Sequence, residues 1–312
     1  MKKYLFSIVV LTYNRRDVLF ELLQELSLLK RFETEIIVVD NGSVDGTSGM
    51  VRDNFSDFSI VETGKNLGAV GRNEGMKIAS GRYVVTIDDD ILGLSDDSLV
   101  NLMTLFEQDI TIGAVCFKVL DHYRGSVCNW CHPHKVEEGS DLTFKTTEIS
   151  EGAVAFRRDM LKATGYYTPE LFISHEGADL AARILDKGFF IYYSPQVTVT
   201  HKYAQGSRSN WRRYYYDTRN DFWLAVRNYR LVFLLLHLGR RLPTTLIYSL
   251  RDGYFLYWLK ACRDSFLELP AMLSQRKPIA RSTHALMRQI NKNRPTFFYL
   301  FKRRFFARDV KL

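Results

Sequence analysis

The chain has 312 residues, 46% of them hydrophobic and 25% charged, with a formal net charge of +8. This composition excludes wholesale disorder and allows one large domain or two smaller ones. The positive charge indicates an acidic partner: a phosphorylated small molecule, an anionic lipid or a nucleic acid. The basic residues concentrate in the C-terminal third, in the runs Arg212-Arg213, Arg240-Arg241 and Lys302-Arg303-Arg304.

No stretch reaches the roughly 18 consecutive apolar residues of a membrane-spanning helix. The longest candidate is LVFLLLHL at 231–238, which arginines flank. The N-terminal apolar run alternates like a strand and lacks a small-residue cleavage site, so we interpret it as structure rather than as a signal peptide. Four cysteines without an export signal are then expected to be reduced thiols, and a cytoplasmic location is predicted.

The first hundred residues alternate predicted strands and helices. The strand-like segments are FSIVVLTY (6–13), EIIVVDNGS (35–43), FSIVET (58–63) and YVVTIDDD (83–90). The predicted helices between and after them are Val18–Leu29, 68–79 and 95–108, the last with Ser95 as N-cap. Gly75 and the other small residues of the second helix suit close packing on the sheet. The alternation indicates a parallel sheet with right-handed crossovers, whose ligands bind at the carboxyl ends of the strands.

Polar residues end three of these strands: Thr12-Tyr13-Asn14, Asp40-Asn41 and Asp88-Asp89-Asp90. All three groups are therefore expected at one edge of the sheet. Consecutive carboxylates repel one another, and a hard divalent cation that also binds phosphate would offset that repulsion. Alternate strand residues share a face, so Asp88 and Asp90 are expected to point together, with Asp89 pointing away. A solvated turn or a helix cap is the alternative.

The pattern changes along the rest of the chain. Residues 110–205 mix strands with a short helix closed by Gly188, and from about 210 long aromatic and basic helices follow, predicted over 212–230, 231–241 and 244–269. We predict an α/β domain over 1–205 and a helical region over 206–312. Rings and arginines on amphipathic helices favour peripheral contact with an anionic membrane. A homo-oligomer contact or an ordinary helical core with a solvated basic face is the alternative, and nucleic acid is not expected as a partner.

Four sequence motifs, in this order along the chain, resemble those of a known family. They are SIVVLTYNR, IIVVDNGSVDGT, NLGAVGRNEGMKIASG and RYVVTIDDD. They resemble family 2 glycosyltransferases with the GT-A fold, in particular bacterial rhamnosyltransferase-like and galactofuranosyltransferase-like members, over about residues 6–205. The resemblance implies a Rossmann-like, mostly parallel sheet flanked by helices. It also implies inverting transfer of a sugar from a nucleoside-diphosphate donor, with UDP or dTDP favoured, to a lipid-linked or cell-surface glycan. Such an enzyme would lie at the inner face of the plasma membrane.

The resemblance also assigns the donor site. Asp88 and Asp90 correspond to the DXD motif that holds Mn²⁺ or Mg²⁺, with His201 completing the metal site. Arg72 at a helix start suits a phosphate, although a surface salt bridge is its alternative, and Asp40 has a turn or cap carboxylate as its alternative. The donor-binding residues implied are Thr12, Tyr13, Asn14, Arg15, Asp40, Asn41, Lys65, Asn66, Gly68, Arg72, Asn73, Asp88, Asp89 and Gly152.

The segment 172–195, FISHEGADLAARILDKGFFIYYSP, departs from the family pattern. Relatives carry an acidic pair, one further residue and Asp-Leu, and the second acid of the pair is the expected general base. Gly177 stands at that position here. Glu176 and Asp179 remain, and Arg183, four residues after Asp179, is its expected salt-bridge partner. We therefore predict Glu176 as the base, with Asp179 as the alternative.

Other interpretations stay open. If neither Glu176 nor Asp179 acts as the base, the chain is a non-catalytic sugar-nucleotide-binding scaffold. A sugar nucleotidyltransferase is a further alternative, because it would use the same metal chemistry at the strand ends. The segment CNWCHPH (128–134) holds residue types typical of zinc ligands, namely Cys128, Cys131, His132 and His134. A single Cys-x-x-Cys motif without a second, distant pair of ligands is weak evidence for zinc. An acceptor-side loop with free thiols is the favoured interpretation.

Overall fold

The computed structural model of the chain describes residues 4–202, 211–296 and 298–299. The predicted boundary at 205–206 and the basic run Lys302-Arg303-Arg304 lie outside these residues. None of the described helices is long and apolar enough to cross a membrane.

Within the described residues nine strands form one sheet: β1 Phe6–Thr12, β2 Thr34–Asp40, β3 Ser59–Glu62, β4 Tyr83–Asp88, β5 Ile91–Leu92, β6 Ile112–Asp121, β7 Phe144–Thr146, β8 Ala153–Arg157 and β9 Phe190–His201. Their spatial order is β3-β2-β1-β4-β8-β6-β9-β5, and β7 pairs with β9. The first four strands of this order are mutually parallel, as the strand–helix alternation predicts. Strand β8 then enters antiparallel between β4 and β6 and joins the two halves of the sheet.

Helices cover both faces of the sheet and form the C-terminal part. Those of the described residues are α1 Arg16–Leu26, α2 Thr47–Asn54, α3 Arg72–Ile78, α4 Asp96–Gln108, α5 Val136–Gly139, α6 Arg158–Thr164, α7 Glu176–Asp186, α8 Trp211–Asn228, α9 Leu231–Arg251, α10 Phe255–Leu267, α11 Leu269–Ser274 and α12 Arg281–Ile290. Short 3-10 turns cover Gly68–Gly71, Pro169–Leu171 and Asn291–Asn293. The predicted cap of α4 is confirmed, because the Ser95 hydroxyl accepts the Ser98 N–H at 3.2 Å.

Strand alternation divides the core between the two faces. Ile8 and Val10 of β1 pack with α1 and α4, whereas Val9 points to the opposite face, toward α3, α6 and α7. On that face α3 lies close to the sheet: a Cβ at Gly75 would be 2.8 Å from Cγ2 of Val39. The glycine predicted to permit close helix packing is therefore required there.

The C-terminal helices differ from their predicted limits. The sequence pattern indicated a break near Pro243 and a continuous helix across Gly253, but α9 runs through Pro243 and ends at Arg251. Gly253 adopts φ +78°, and the Tyr254 N–H donates to the Ser249 carbonyl at 2.8 Å. A left-handed glycine with such a bond is a helix C-terminal cap, whereas packing of the helix compensates the missing N–H of a proline.

Helix α8 joins the helical region to the sheet domain. Its residues Phe222, Trp223 and Val226 form an apolar cluster with Leu171 and Met272. Leu171 lies just before the acidic segment that opens α7. The helical region therefore packs directly against the part of the chain in which the base is predicted.

Candidate functional site

The strand ends meet at one edge, as predicted. Thr12 pairs with Asp40 in the register of β1 and β2, and Leu11 pairs with Asp88 in that of β1 and β4. Two hydrogen bonds join the loops that follow β1 and β2: Asn14 N–H to Ser43 Oγ at 2.9 Å, and Val44 N–H to Asn14 Oδ1 at 2.8 Å. Asn14 adopts φ +52°, which asparagine tolerates better than most residues.

Arg15 offsets the charge of two of the three aspartates. Its Nη1 donates to Asp89 Oδ1 at 2.8 Å and to Asp90 Oδ2 at 2.6 Å. Burial opposes the charge of Arg15, but these two carboxylates raise its pKa. Asp89 also accepts the Thr12 hydroxyl at 2.8 Å, and burial raises its pKa to about 6. Thr12, Arg15 and Asp89 thus form one buried network beside the solvent-exposed ring of Tyr13.

Asp90 also contacts the predicted histidine. Nε2 of His201 lies 3.0 Å from Asp90 Oδ1, and Nδ1 lies 3.0 Å from Nδ2 of Asn129. This pair offers one carboxylate and one imidazole, donors that suit Mn²⁺ or Mg²⁺ when waters and substrate phosphates complete the coordination. The described residues contain no group of three or more His, Cys, Asp and Glu side chains placed to hold a metal by themselves.

Asp88 has a different partner. Its Oδ1 forms an ion pair with Nη2 of Arg72, whose Nη1 donates to the Ala69 carbonyl at 2.9 Å. Arg72 is only 3% exposed and the Asp88 side chain is 32% exposed, so their ion pair is part-buried rather than on the open surface. The Asp88 carboxylate also fills the space above Gly152, where a Cβ would overlap it. Asp88 and Asp90 therefore bind different cations of the protein.

The remaining predicted donor residues form the wall of the site. Asp40 accepts the Ser43 N–H at 2.8 Å and the Ser48 hydroxyl, so it caps its own turn. Asn41 donates to Asn66 Oδ1 at 3.1 Å and to the Gly68 carbonyl at 3.0 Å. The loop so held borders a cavity of about 270 Å³ lined by Lys65, Asn66, Leu67, Val70, Asn73, Glu74, Pro169 and Phe172.

Asn73 has a structural role. Its Nδ2 donates to the Tyr167 carbonyl at 2.8 Å, and its Oδ1 accepts the Tyr167 N–H at 3.1 Å. Both polar atoms of the buried amide are thereby occupied by backbone, so we do not retain Asn73 as a donor-binding residue.

A strained loop leads into the acidic segment. Phe172, Ser174 and His175 all have positive φ, a conformation that residues other than glycine adopt at a cost. Asn220 of α8 offsets this cost, since its Nδ2 donates at 2.7 Å to each of three loop carbonyls, those of Leu171, Ile173 and Ser174. The helical region thereby holds the loop that positions α7.

Asp179 is fully buried and fully bonded. Its carboxylate accepts from Thr168 Oγ1 at 2.7 Å, Arg183 Nη2 at 2.8 Å and Asn228 Nδ2 at 2.7 Å. Burial opposes ionisation, but the charges of Arg183 and Arg227 lower the pKa of Asp179. The expected Arg183 pair is therefore present, and Asp179 has a structural role rather than that of a base.

Glu176 is also buried, yet poorly satisfied. It is 2% exposed, and its Oε2 has no hydrogen-bond partner among the described residues. Burial, and next the neighbouring charge of Glu151, raise its pKa to about 8. Glu151 had not been assigned a catalytic role from the sequence, because 25 residues separate it from Glu176 and nothing local marks it.

The zinc hypothesis is wrong. His132 is buried, with Nδ1 3.1 Å from Thr146 Oγ1, and burial lowers its pKa to about 3. His134 stacks against Phe144, and all four cysteines of the chain are free thiols. Cys128, Cys131 and the two histidines form no metal-binding group. Aromatic packing around Trp130 and Tyr193 explains this segment instead.

Solved structures share this fold. The chain matches TarS 1-349 of S. aureus in complex with UDP-GlcNAc at a TM-score of 0.61 and 18% identity, over 92% of this chain and 89% of that one. It matches the mannosyltransferase PcManGT from Pyrobaculum calidifontis, in complex with GDP-Man and Mn²⁺, at a TM-score of 0.55 and 18% identity, over 99% and 89%. The predicted GT-A fold is confirmed.

Sequence comparison adds the family. The sequence model of Glycosyl transferase family 2 matches residues 7–165. The chain belongs to this family and is a glycosyltransferase, as predicted. It is 24% identical over 221 residues to the O-antigen chain rhamnosyltransferase RfbN of Salmonella typhimurium, covering 67% of this chain and 70% of that protein. It is 23% identical over 261 residues to a poly-beta-1,6-N-acetyl-D-glucosamine synthase of Staphylococcus epidermidis, covering 78% and 62%.

Proposed function

We propose that this glycosyltransferase moves a sugar, with inversion, from a nucleoside-diphosphate donor to a hydroxyl of a lipid-linked or cell-surface glycan. The carrying observation is the meeting of three strand ends, those of Thr12, Asp40 and Asp88–Asp90, at one edge of the sheet. The nucleoside lies against the loops after β1 and β2, and the diphosphate lies toward Asp90 and His201. Relatives named for O-antigen chain and poly-N-acetylglucosamine synthesis support a glycan acceptor.

Mn²⁺ or Mg²⁺ is part of this proposal. Asp90 and His201 would hold the ion, and the structure of PcManGT contains Mn²⁺ together with its sugar nucleotide. When bound, the ion would neutralise charge on the leaving diphosphate. The guanidinium of Arg15 binds the carboxylates of Asp89 and Asp90, and the guanidinium of Arg72 binds that of Asp88.

The acceptor proton passes to a carboxylate beside the first turn of α7. Glu151 and Glu176 are the acids there that are free of structural ion pairs with α8, whereas Asp179 is committed to its own partners. Attack on the donor from this side, away from the diphosphate, inverts the anomeric carbon.

The test is product analysis. The chain is incubated with UDP-, dTDP- and GDP-sugars, Mn²⁺ and a panel of polyprenyl-linked saccharides. Release of nucleoside diphosphate with transfer of the sugar is expected, and NMR gives the anomeric configuration of the product. Release of pyrophosphate would identify a nucleotidyltransferase, and absence of turnover with every donor would contradict the proposal.

Membrane contact through the helical region completes the proposal. Helix α9 exposes one apolar stripe, in which Leu231, Val232, Leu235 and Leu236 are each 60% or more exposed. Helix α10 exposes Leu256, Phe266 and Leu267 in the same way. Helix α9 contains no acidic residue that would repel an anionic headgroup layer, and two of its three arginines, Arg241 and Arg251, pair with Asp221 and Asp252. Such a surface would place the enzyme at the inner face of the plasma membrane, beside a lipid-linked acceptor.

Vesicle flotation tests this surface. We expect binding to phosphatidylglycerol vesicles that weakens with salt and is lost in Leu236→Glu, because a charge then enters the headgroup layer. Leu28→Glu is the matched control, since Leu28 is 69% and Leu236 67% exposed. Unchanged flotation of Leu236→Glu together with a concentration-dependent dimer would assign the stripe to a second copy of the chain.

A further inference from the structure

The glycine at the expected base position lies against another acid. Gly177 N–H donates to Oε1 of Glu151 at 2.7 Å. A Cβ on Gly177 would overlap that same oxygen and lie 2.9 Å from the Ile149 carbonyl. No side chain fits at position 177 in this arrangement. The carboxylate missing from α7 is replaced in space by one that comes from the loop before β8.

Glu151 also lies beside the strand-end aspartates. Its neighbour Gly152 accepts the Asp88 N–H at 3.1 Å and touches the Asp88 carboxylate. The Glu151 carboxylate is therefore held between the end of β4 and the first turn of α7. It is half-buried, whereas Glu176 and Asp179 are fully buried. Glu151 is thus the most exposed of these three acids.

The two glutamates differ in protonation. Burial raises the pKa of both, to about 6 for Glu151 and about 8 for Glu176. The Gly177 N–H and the charge of Arg72 favour ionised Glu151, whereas Glu151 itself disfavours ionised Glu176. The surroundings therefore favour Glu151 over Glu176 as the ionised member of the pair. A base must be ionised to accept a proton, and Glu151 meets that condition.

We propose that Glu151 is the general base that deprotonates the acceptor hydroxyl. The proposal rests on the proposed function. The Glu151 carboxylate takes the hydroxyl proton as the acceptor oxygen bonds to the anomeric carbon. The bond from that carbon to the diphosphate oxygen breaks, and its electron pair leaves with the nucleoside diphosphate. Glu176 is more deeply buried than Glu151 and does not take this proton in the proposal.

The first test is Glu151→Gln. We expect kcat to fall by roughly 10²–10⁴-fold, the usual contribution of a positioned base, with donor affinity by calorimetry unchanged. Glu148→Gln is the matched control three residues earlier, and its acid pairs with Arg294 at 3.1 Å away from Gly177. The control is expected to keep the wild-type kcat.

The pH profile is the second readout. The kcat/KM of the wild type should fall as pH drops through about 6, where Glu151 takes up a proton. The kcat/KM of Glu151→Gln should not show this fall. The titratable and charged groups that interact with Glu151 are Arg72 from α3, Glu176 from α7, Glu148 from its own loop, Cys116 from β6, and Cys131 and Tyr167, whose pKa values burial raises. The Cys116 thiol, whose pKa is raised to about 12 by burial, and Arg72 do not titrate in this range.

Keeping an acid at position 151 is the third test. Glu151→Asp should be at least roughly tenfold more active than Glu151→Ala, since a carboxylate still extends from the same loop toward the acceptor. Rescue by this conservative variant excludes simple misfolding of Glu151→Ala.

Two outcomes overturn the proposal. In one, the kcat of Glu151→Gln stays within about threefold of the wild-type value, while Glu176→Gln loses both kcat and the fall of kcat/KM at acidic pH. Glu176 would then be the base. In the other, Glu151→Asp is no more active than Glu151→Ala. In both outcomes the wild-type enzyme still transfers sugar. If the proposed function itself fails, the wild type transfers no sugar, and Glu151 has no role as a base.

Discussion

The two acidic regions of the site are built in different ways. Asp88, Asp89 and Asp90 lie at a strand end, where the register with β1 sets their positions, and Arg15 and Arg72 neutralise them. The acids around α7 come from separate segments and depend on α8, whose Asn220 and Asn228 bond to the loop and to Asp179. A strand end places its side chains by local geometry, whereas the acids around α7 need packing of the helical region. The predictions below test this difference.

The largest effect is expected at the strand end. Asp90→Asn removes the charge that contacts both Arg15 and His201, and we expect a loss of transfer rate of roughly 10³-fold. Mn²⁺ binding by calorimetry should fall in parallel, while the free energy of unfolding should fall by less than in Asp179→Asn, because Arg15 is 25% exposed and keeps its ion pair with Asp89. Asp97→Asn, on the exposed start of α4, is the control. Full activity of Asp90→Asn would remove Asp90 from the site.

On the α7 side the corresponding change should affect stability. Asp179→Asn leaves Arg183 and Arg227 beside a neutral group, and we expect a loss of about 3 kcal/mol in the free energy of unfolding, because a buried pair is broken. The pKa of Asp179 is lowered in the fold, so its stabilisation is present above the unfolded pKa near 4 and is lost as pH falls through the folded value. Urea unfolding should therefore show the difference from wild type shrinking below about pH 4.

Asn220→Ala tests the dependence on α8. Three loop carbonyls lose their donor, and we expect a loss of about 2 kcal/mol in unfolding free energy. Because the loop before α7 then relaxes, kcat should fall while donor affinity is kept. Asn101→Ala is the control, since Asn101 donates a single exposed bond at 2.8 Å to the Gln196 carbonyl. Equal effects of the two variants would contradict the special role of the α8 contact.

The smallest effect concerns the point where the two regions touch. The Ala69 N–H donates to the Phe172 carbonyl at 2.7 Å, and a Cβ on Gly68 would overlap that carbonyl oxygen. Gly64 has a similar φ, +70° against +73°, but open space around it. We expect Gly68→Ala to destabilise by about 1–2 kcal/mol more than Gly64→Ala in denaturant unfolding, since the clash adds to the shared strain. No difference would show that the loops can separate freely.

Much of the fold was predictable. The parallel strands, the cap at Ser95, the close approach at Gly75 and the convergence of Thr12, Asp40 and Asp88 all follow from periodicity and from where polar residues end apolar runs. The Asp179–Arg183 pair follows from helical spacing. These features depend on residues close together in the chain or on the shared edge of a parallel sheet.

The partners of the acids were not predictable in the same way. That Asp88 binds Arg72 while Asp90 binds Arg15 and His201, and that Asn73 holds Tyr167, depends on side chains brought together from distant segments. The helix limits near Pro243 and Gly253 were wrong because packing outweighed the local signal of the proline.

Sequence alone establishes the family, the sheet edge and the absence of an acid at position 177, since each is a local pattern. Tertiary structure alone shows why a glycine stands there: Glu151, 26 residues earlier in the chain, occupies the space that a side chain would need. Spacing along the chain carries no signal for such a replacement, because the two residues meet only when β8 and α7 pack at the same edge of the sheet.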